Sequence, residues 1–165
     1  MIYDCRDPQQ MASALALNNL FPPALRYWQV IKTDRLPSRL DIDPIDIPDL
    51  LPNIMLLDVL EGGKDFRYRL AGTAVERNFG APIKGLTLGA IVQSFPSIEP
   101  VLDVKIHCAE TASPYACDAA MFTHFGTRKQ VYCFAMPLSD DGVIVTQIFA
   151  IGILERITEP AGLAR

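Results

Sequence analysis

Apolar residues in the first third of the chain recur at the spacing of a helix. Asp7 followed by Pro8 is typical of a helix start, because the carboxylate caps free amides and proline suits the first helical position. This helix is predicted to run to about Leu20. A second helix follows the break at Phe21-Pro22-Pro23, and its apolar stripe consists of Leu25, Trp28 and Ile31.

Residues 33–52 are rich in proline and aspartate and carry no clear period. Proline fixes its own φ and biases the residue before it towards extended conformations. The sequence therefore predicts an extended connector, with one short helical turn near Ile47 to Leu51.

A strand pair and a short helix are predicted next. Ile54 to Leu60 is an apolar run, Phe66 to Leu70 alternates between apolar and charged residues, and a glycine-containing turn joins them, as in a β-hairpin. Thr73-Ala74-Val75-Glu76 has the form of a capping box, and Gly80 is placed to end that helix.

The second half of the chain predicts one longer helix and three strands. The helix starts near Ser94 or Ser97, ends before Pro114 and presents an apolar face made of Ile98, Val101, Leu102, Ile106 and Ala109. Turns at His124–Thr127 and Ser139–Gly142 separate the strands, and Asp-Gly in the second turn is a strong hairpin signal.

The order of these elements predicts an α/β protein of the α+β type. One five-stranded antiparallel sheet would carry helices on one face, with further helices at the amino terminus. Its strands are Asn53–Leu60, Lys64–Ala71, Tyr115–Phe122, Lys129–Leu138 and Val143–Leu154. The chain then divides into amino-terminal helices and connector (1–52), a core (53–157) and a tail (158–165).

Composition and charge narrow the class of protein. With 165 residues, half of them apolar, the chain suits one globular domain. Its net charge of −4 gives no support for nucleic-acid binding, which needs a basic face. Its amino terminus does not resemble a signal peptide, and Val143 to Leu154 is too short to span a bilayer. None of the four cysteines forms a C-x-x-C pair. A cytoplasmic protein with reduced thiols, away from membranes, is expected.

The order of elements from about Asn53 to Arg156 resembles a PAS domain. More narrowly, five segments resemble a bacterial family of small, single-domain PAS proteins of undefined function. They are Tyr27-Trp28, Leu36-Pro37-Ser38-Arg39, Asp43-Pro44, Leu50-Leu51-Pro52, and Phe66 to Thr73. The resemblance implies a domain that binds a small ligand or a partner protein and relays a signal.

The leading hypothesis is therefore a sensor or protein-interaction module that is not an enzyme and acts on a separate signalling partner. A small α+β enzyme of the isomerase or hydratase type is the alternative, and Asp118 and Tyr132 are the acid or base that it offers. A scaffold with a filled core is the third hypothesis.

Any ligand is expected between the sheet and the helices, around Phe79 and Val101. The aromatic residues Tyr115, Tyr132 and Phe134 are candidate wall residues. Arg69 is a candidate anion ligand, although an ion pair with Asp41 or Asp43 that clamps the connector is the preferred interpretation.

No cofactor, metal site or catalytic residue is predicted, so the protein should be colourless. His107 lies nine positions after Ile98 and therefore points away from the apolar face of its helix, which disfavours a haem ligand. The predicted short helix at 73–80, and the further short helical turns predicted from Lys84 to Val92, contain no cysteine for flavin photochemistry.

A homodimer is the predicted assembly. The segment Val143 to Leu154 is apolar at nearly every position, as in a strand buried on both faces, so the outer face of the sheet needs cover. The amino-terminal helices of this chain or of a partner can supply it. PAS domains commonly dimerise through such helices, which the resemblance adds; a monomer that covers its own sheet is the alternative.

Overall fold

The computed structural model describes residues 1–123 and 126–157. His124 and Phe125 of the predicted turn and the predicted tail, 158–165, lie outside the described residues. One antiparallel sheet of six strands forms the centre, in the order β1-β4-β5-β6-β2-β3. The strands are β1 (Ile2–Asp4), β2 (Ile54–Leu60), β3 (Asp65–Ala71), β4 (Tyr115–Phe122), β5 (Arg128–Leu138) and β6 (Gln147–Arg156).

Five α-helices accompany the sheet in the described part of the chain. They are α1 (Pro8–Leu15), α2 (Phe21–Ile31), α3 (Thr73–Phe79), α4 (Leu88–Ser94) and α5 (Glu99–Thr111). Asp7 caps α1 as predicted, but that helix ends at Leu15 rather than near Leu20. Gly80, at φ +96°, ends α3, whereas the predicted capping box is absent because Glu76 accepts a hydrogen bond from the Ile83 amide instead.

The antiparallel α+β fold is confirmed, and two strand predictions need correction. The sixth strand, β1, pairs with the edge of β4, and its three residues are too short to show an alternating pattern. The last strand begins at Gln147 rather than at Val143. Asp141 accepts hydrogen bonds from the amides of Val143 and Ile144, which holds this pair in the turn with exposed side chains.

Helices α3, α4 and α5 cover one face of the sheet, here called the inner face. From α5 the residues Val101, Val104, Lys105 and Cys108 are buried, while Leu102, Ile106 and Ala109 are only partly buried. The buried face of α5 is therefore rotated relative to the face predicted from the sequence. It includes Lys105, which the prediction omitted. His107 is exposed, as expected.

The opposite face, here called the outer face, is covered by the amino-terminal part of the same chain. The rings of Phe21 in α2 and Phe134 in β5 lie 5.3 Å apart. The indole of Trp28 donates a 2.9 Å hydrogen bond to the main-chain oxygen of Pro137. Because α2 buries its apolar stripe against the sheet of the same chain, the outer face is covered. The apolar sequence of the last strand had predicted that this face needs cover.

The connector between α2 and β2 also packs on the outer face. It contains three short 3-10 helices, Arg39–Asp41, Pro44–Asp46 and Leu51–Asn53, where the sequence predicted an extended path with one turn. Ile47 and Leu50 are buried in the core. The aspartates Asp41 and Asp43 bond to nearby amides, which explains how a proline-rich segment satisfies its main chain. No helix in the described residues is both long and apolar enough to cross a membrane.

Candidate functional site

An apolar cavity of about 40 Å³ lies between the inner face and the helices. Its walls come from the five strands β2 to β6 and from α3, α4 and α5. Its main lining residues are Met55, Val75, Phe79, Ile91, Val101, Val131 and Leu154. For comparison, a cavity needs about 10–15 Å³ to hold one water molecule, and a cavity of about 150 Å³ holds benzene. The cavity as it stands suits a small apolar group and would have to expand to admit a flavin or haem.

Of the six residues predicted for a ligand site, the structure brings three to this cavity. Phe79 at the end of α3 and Val101 in α5 are part of its wall. Tyr132 is also at the wall, but its strand partners are Asp118 and Ile153, so alternation turns its ring to the outer face. Its main chain, rather than its ring, therefore meets the cavity.

Phe134 and Tyr115 lie away from the cavity lining. Phe134 is on the outer face, in contact with Phe21. The Tyr115 hydroxyl donates to Asp4 and accepts from Arg6, and its ring stacks on His107 with centroids 5.4 Å apart. Tyr115 therefore ties the amino-terminal strand to α5.

Arg69 also lies away from the cavity, and its partner is not the connector. Its guanidinium is 2.9 Å from the carboxylate of Asp58 on the neighbouring strand, where the sequence suggested Asp41 or Asp43. Burial acts to raise the pKa of Asp58, but hydrogen bonds from Arg69 and Gln147 outweigh it and hold that pKa below its ordinary value. The contacts of Asp58 with Arg69 and Gln147 therefore join β2 to β3 and β6. Arg69 pairs with a carboxylate on the neighbouring strand rather than with one in the connector.

A fully buried lysine, which the sequence pattern did not predict, lies next to the cavity. Lys105 donates from Nζ to the Val101 carbonyl and to the Cys133 sulfur, both at 3.3 Å. Burial acts to lower the pKa of this ammonium, while electrostatic interaction with Cys133, Tyr68 and Cys117 acts to raise it, and the net shift is upward. The signal was available: Lys105 is four positions after Val101 and three before Cys108, on the buried side of α5.

The cavity offers little chemistry for catalysis. Within the described residues its lining contains no carboxylate and no histidine. The candidate acid Asp118 lies on the outer side of β4, with its carboxylate 3.2 Å from the amino-terminal nitrogen of Met1. No group of three or more histidine, cysteine or acidic residues is placed to hold a metal in residues 1–123 and 126–157. The four cysteines are free and buried.

An open cleft of about 470 Å³ adjoins the enclosed cavity. The two spaces share Phe79, Met121 and Leu154 as walls. The cleft is lined in addition by three cationic side chains, which are Arg77, Lys129 and Arg156. An apolar interior with a basic opening is thus the site that the inner face presents.

The chain belongs to a PAS domain family. A family model described as a PAS domain matches residues 21–154, which confirms the resemblance read from the sequence. The match includes α2, the connector, the inner helices, β2 to β5 and most of β6, while β1 lies outside it. The domain is accordingly a PAS sensor or interaction module. No curated protein matches the sequence.

Solved structures similar to this chain include other PAS-type domains. One, "Flavin Analogue Sheds Light on Light-Oxygen-Voltage Domain Mechanism", is 11% identical with a TM-score of 0.49 and covers 70% of this chain and 84% of that chain. The PAS domain from Bordetella pertussis BvgS is 24% identical, with a TM-score of 0.49 and coverage of 71% and 85%. An RNA-binding light-oxygen-voltage receptor is 15% identical, with a TM-score of 0.48 and coverage of 74% and 36%.

Proposed function

We propose that this PAS domain is a sensor that takes a small molecule into the cavity between the inner face and α3, α4 and α5, and relays its presence to a partner protein. The observation that carries the proposal is the enclosed apolar cavity beside an open cleft. Ligand sites in proteins are mostly apolar and concave with few polar groups, which describes this space. Phe79 and Val101 are the predicted contacts of the ligand.

A role without catalysis is part of this proposal. An isomerase or hydratase would need an acid or base aimed at the bound substrate. Asp118 and the ring of Tyr132, the two candidates, belong to the outer face, and the cavity wall is almost entirely apolar. The four free thiols support a reducing, cytoplasmic setting.

Relay to a partner or to a second copy would use the outward surface of the amino-terminal cover. Trp28 and the sheet face, which the sequence suggested for dimerisation, are buried within the chain. In contrast, Val30, Leu40 and Ile45 are 79%, 93% and 86% exposed on α2 and the connector. A homodimer or a signalling-protein contact at that surface would cover these side chains.

A screen of small molecules by two-dimensional ¹H–¹⁵N NMR tests the ligand role. The proposal expects that some compounds shift the amide signals of cavity residues such as Val101 and Val131. A Val101→Phe variant, which fills the space, should fold and lose those shifts, while Val143→Phe in the exposed turn should keep them. A screen in which no compound moves the cavity signals, or moves them equally in the filled variant, would overturn the proposal.

A further inference from the structure

The inner face changes from apolar to basic at one end. Val131 and Leu154 are directly opposite each other across β5 and β6, and the next pair along the same face is Lys129 and Arg156. Successive pairs on one face are about 7 Å apart, because a strand rises about 3.4 Å per residue. The apolar cavity wall therefore meets two cations within one step of the strand ladder.

The basic end has no anionic partner in the described part of the chain. No salt bridge there involves Arg77, Lys129 or Arg156. Lys129 donates one hydrogen bond to the main-chain oxygen of Asn78 at the end of α3, which leaves two of its three donors. Like charges directly opposite each other on adjacent strands destabilise a sheet. On a protein of net charge −4, such a pair is a feature that needs an explanation.

We infer that the ligand of this domain is an amphipathic anion, a carboxylate that carries a short unbranched apolar chain. This inference rests on the proposed function and adds the chemical class of the ligand. The carboxylate binds in the cleft between Lys129 and Arg156, and the chain passes Phe79 and Leu154 towards the cavity. Most of the chain lies in the cleft, and the cavity of about 40 Å³ widens to take its end.

Three observations select this class over others. The guanidinium of Arg156 can bind a carboxylate through two parallel hydrogen bonds, and Lys129 adds a point charge. The cavity wall has almost no polar surface, so burial of methylene groups against it is favourable. The walls shared by the two spaces, Phe79, Met121 and Leu154, let one molecule occupy both.

Octanoate is the ligand with which to test the inference, with three comparison compounds. 1-Octanol has the chain without the charge, octylammonium has the opposite charge, and acetate has the charge without the chain. Isothermal titration and amide NMR shifts should show that octanoate binds more tightly than each of the three by about tenfold or more. 1-Octanol and octylammonium lack the charge-assisted contact of a carboxylate with Lys129 and Arg156, and acetate lacks the buried chain. Binding of octanoate should also weaken as salt is added.

Charge-neutralising variants locate the anion. Lys129→Gln and Arg156→Gln should each weaken octanoate about three- to tenfold and leave 1-octanol unchanged. Lys64→Gln removes the same charge from the exposed β2–β3 turn and should change neither. Two variants at the cleft are needed, because Lys129 also bonds to α3 and its loss could disturb folding. If Lys129→Gln folds poorly, Arg156→Gln still tests the position of the anion.

The outcomes separate this inference from the proposed function. Equal binding of octanoate and 1-octanol, or octanoate binding that both cleft variants leave intact, would overturn the anion class while cavity binding stands. Failure of all four compounds to bind would also overturn the anion class. The small-molecule screen on the parent protein and the Val101→Phe variant would then test the sensor role separately.

Discussion

At the scale of single residues, Lys105 is the least expected feature of the core. Its ammonium is fully buried and bonds to a carbonyl and a sulfur, and residues 1–123 and 126–157 supply no carboxylate as a hydrogen-bond partner. Replacing buried charges by apolar residues of similar volume is often neutral or stabilising. At neutral pH, where burial keeps the Tyr68 hydroxyl un-ionised, we therefore interpret Lys105 as a net cost to the stability of the fold.

A Lys105→Met variant tests this interpretation. The free energy of unfolding should stay within about 1 kcal/mol of the parent value or rise, because methionine fills the same space without desolvating a charge. Lys105→Ala should lose about 2–4 kcal/mol, because it leaves a void. Urea denaturation measures both. A loss of more than about 3 kcal/mol in Lys105→Met would show that the hydrogen bonds of the ammonium outweigh its desolvation.

Buried thiols make the stability of the protein depend on alkaline pH. Burial, with a smaller contribution from the charge of Asp4, raises the pKa of Cys5 from 9.0 to about 12, and burial also raises the pKa of Cys108. Because the unfolded thiol ionises first, this stability is complete below pH 9 and is lost as the pH rises towards 12.

The expected loss is about 1.4 kcal/mol per pH unit for each thiol in that range. Urea midpoints at pH 8 and pH 10 measure it, and a Cys5→Ala variant should show a smaller decrease than the parent protein. Equal decreases in the two proteins would mean that Cys5 ionises as readily when folded as when unfolded.

At the scale of elements, α2 acts as the cover of the outer face. Phe21, Ala24, Leu25 and Trp28 are buried along one side of this helix, and Trp28 adds a hydrogen bond to β5. The stripe was readable from the sequence because its apolar residues recur at helical spacing. The sequence did not predict that this helix packs on the sheet of its own chain, because periodicity does not identify the surface against which a helix face packs.

Truncating Trp28 should therefore destabilise the monomer itself. Trp28→Ala should lower the free energy of unfolding by about 3–5 kcal/mol, because it removes a large buried side chain and leaves the Pro137 carbonyl without its donor. Val30→Ala, two residues along the same helix but exposed, should change it by less than about 0.5 kcal/mol. Equal effects of the two variants would show that α2 does not pack on the sheet as described.

Strand boundaries show where pattern reading succeeds and where it fails. The β2–β3 hairpin and β4 were predicted almost to the residue, because alternation and a glycine turn are local signals. The start of β6 was misplaced because Val143 and Ile144 are apolar but held in a turn by Asp141. The pairing of β2 with β6 and the addition of β1 are contacts between distant segments, which a local pattern does not encode.

At the scale of the whole molecule, self-association is expected to depend on the outward side of the amino-terminal cover. Val30→Asp should shift the protein towards monomer in light scattering at tens of micromolar, because it places a charge in the proposed contact. Val143→Asp changes a valine of similar exposure in the turn before β6 and should leave the mass unchanged. A parent protein that is already monomeric would contradict the homodimer.

Most of the fold could be predicted from the sequence, and the candidate site only in part. The family segments around Tyr27 and Phe66 and the order of elements were sufficient for the PAS fold. Phe79 and Val101 were placed at the cavity, whereas Arg69 and Phe134 were not, because the sequence did not show which strand face is the inner one. The basic end of the cavity depends on the pairing of β5 with β6 and was not foreseen.

Native mass spectrometry of the protein purified gently from the cells that express it tests the sensor role most directly. The parent protein should carry a non-covalent small molecule that leaves on mild activation, and the Val101→Phe variant, with the cavity filled, should not. A parent protein whose mass equals that of its bare chain, and which stays so after incubation with a small-molecule extract of those cells, would contradict a ligand in this cavity.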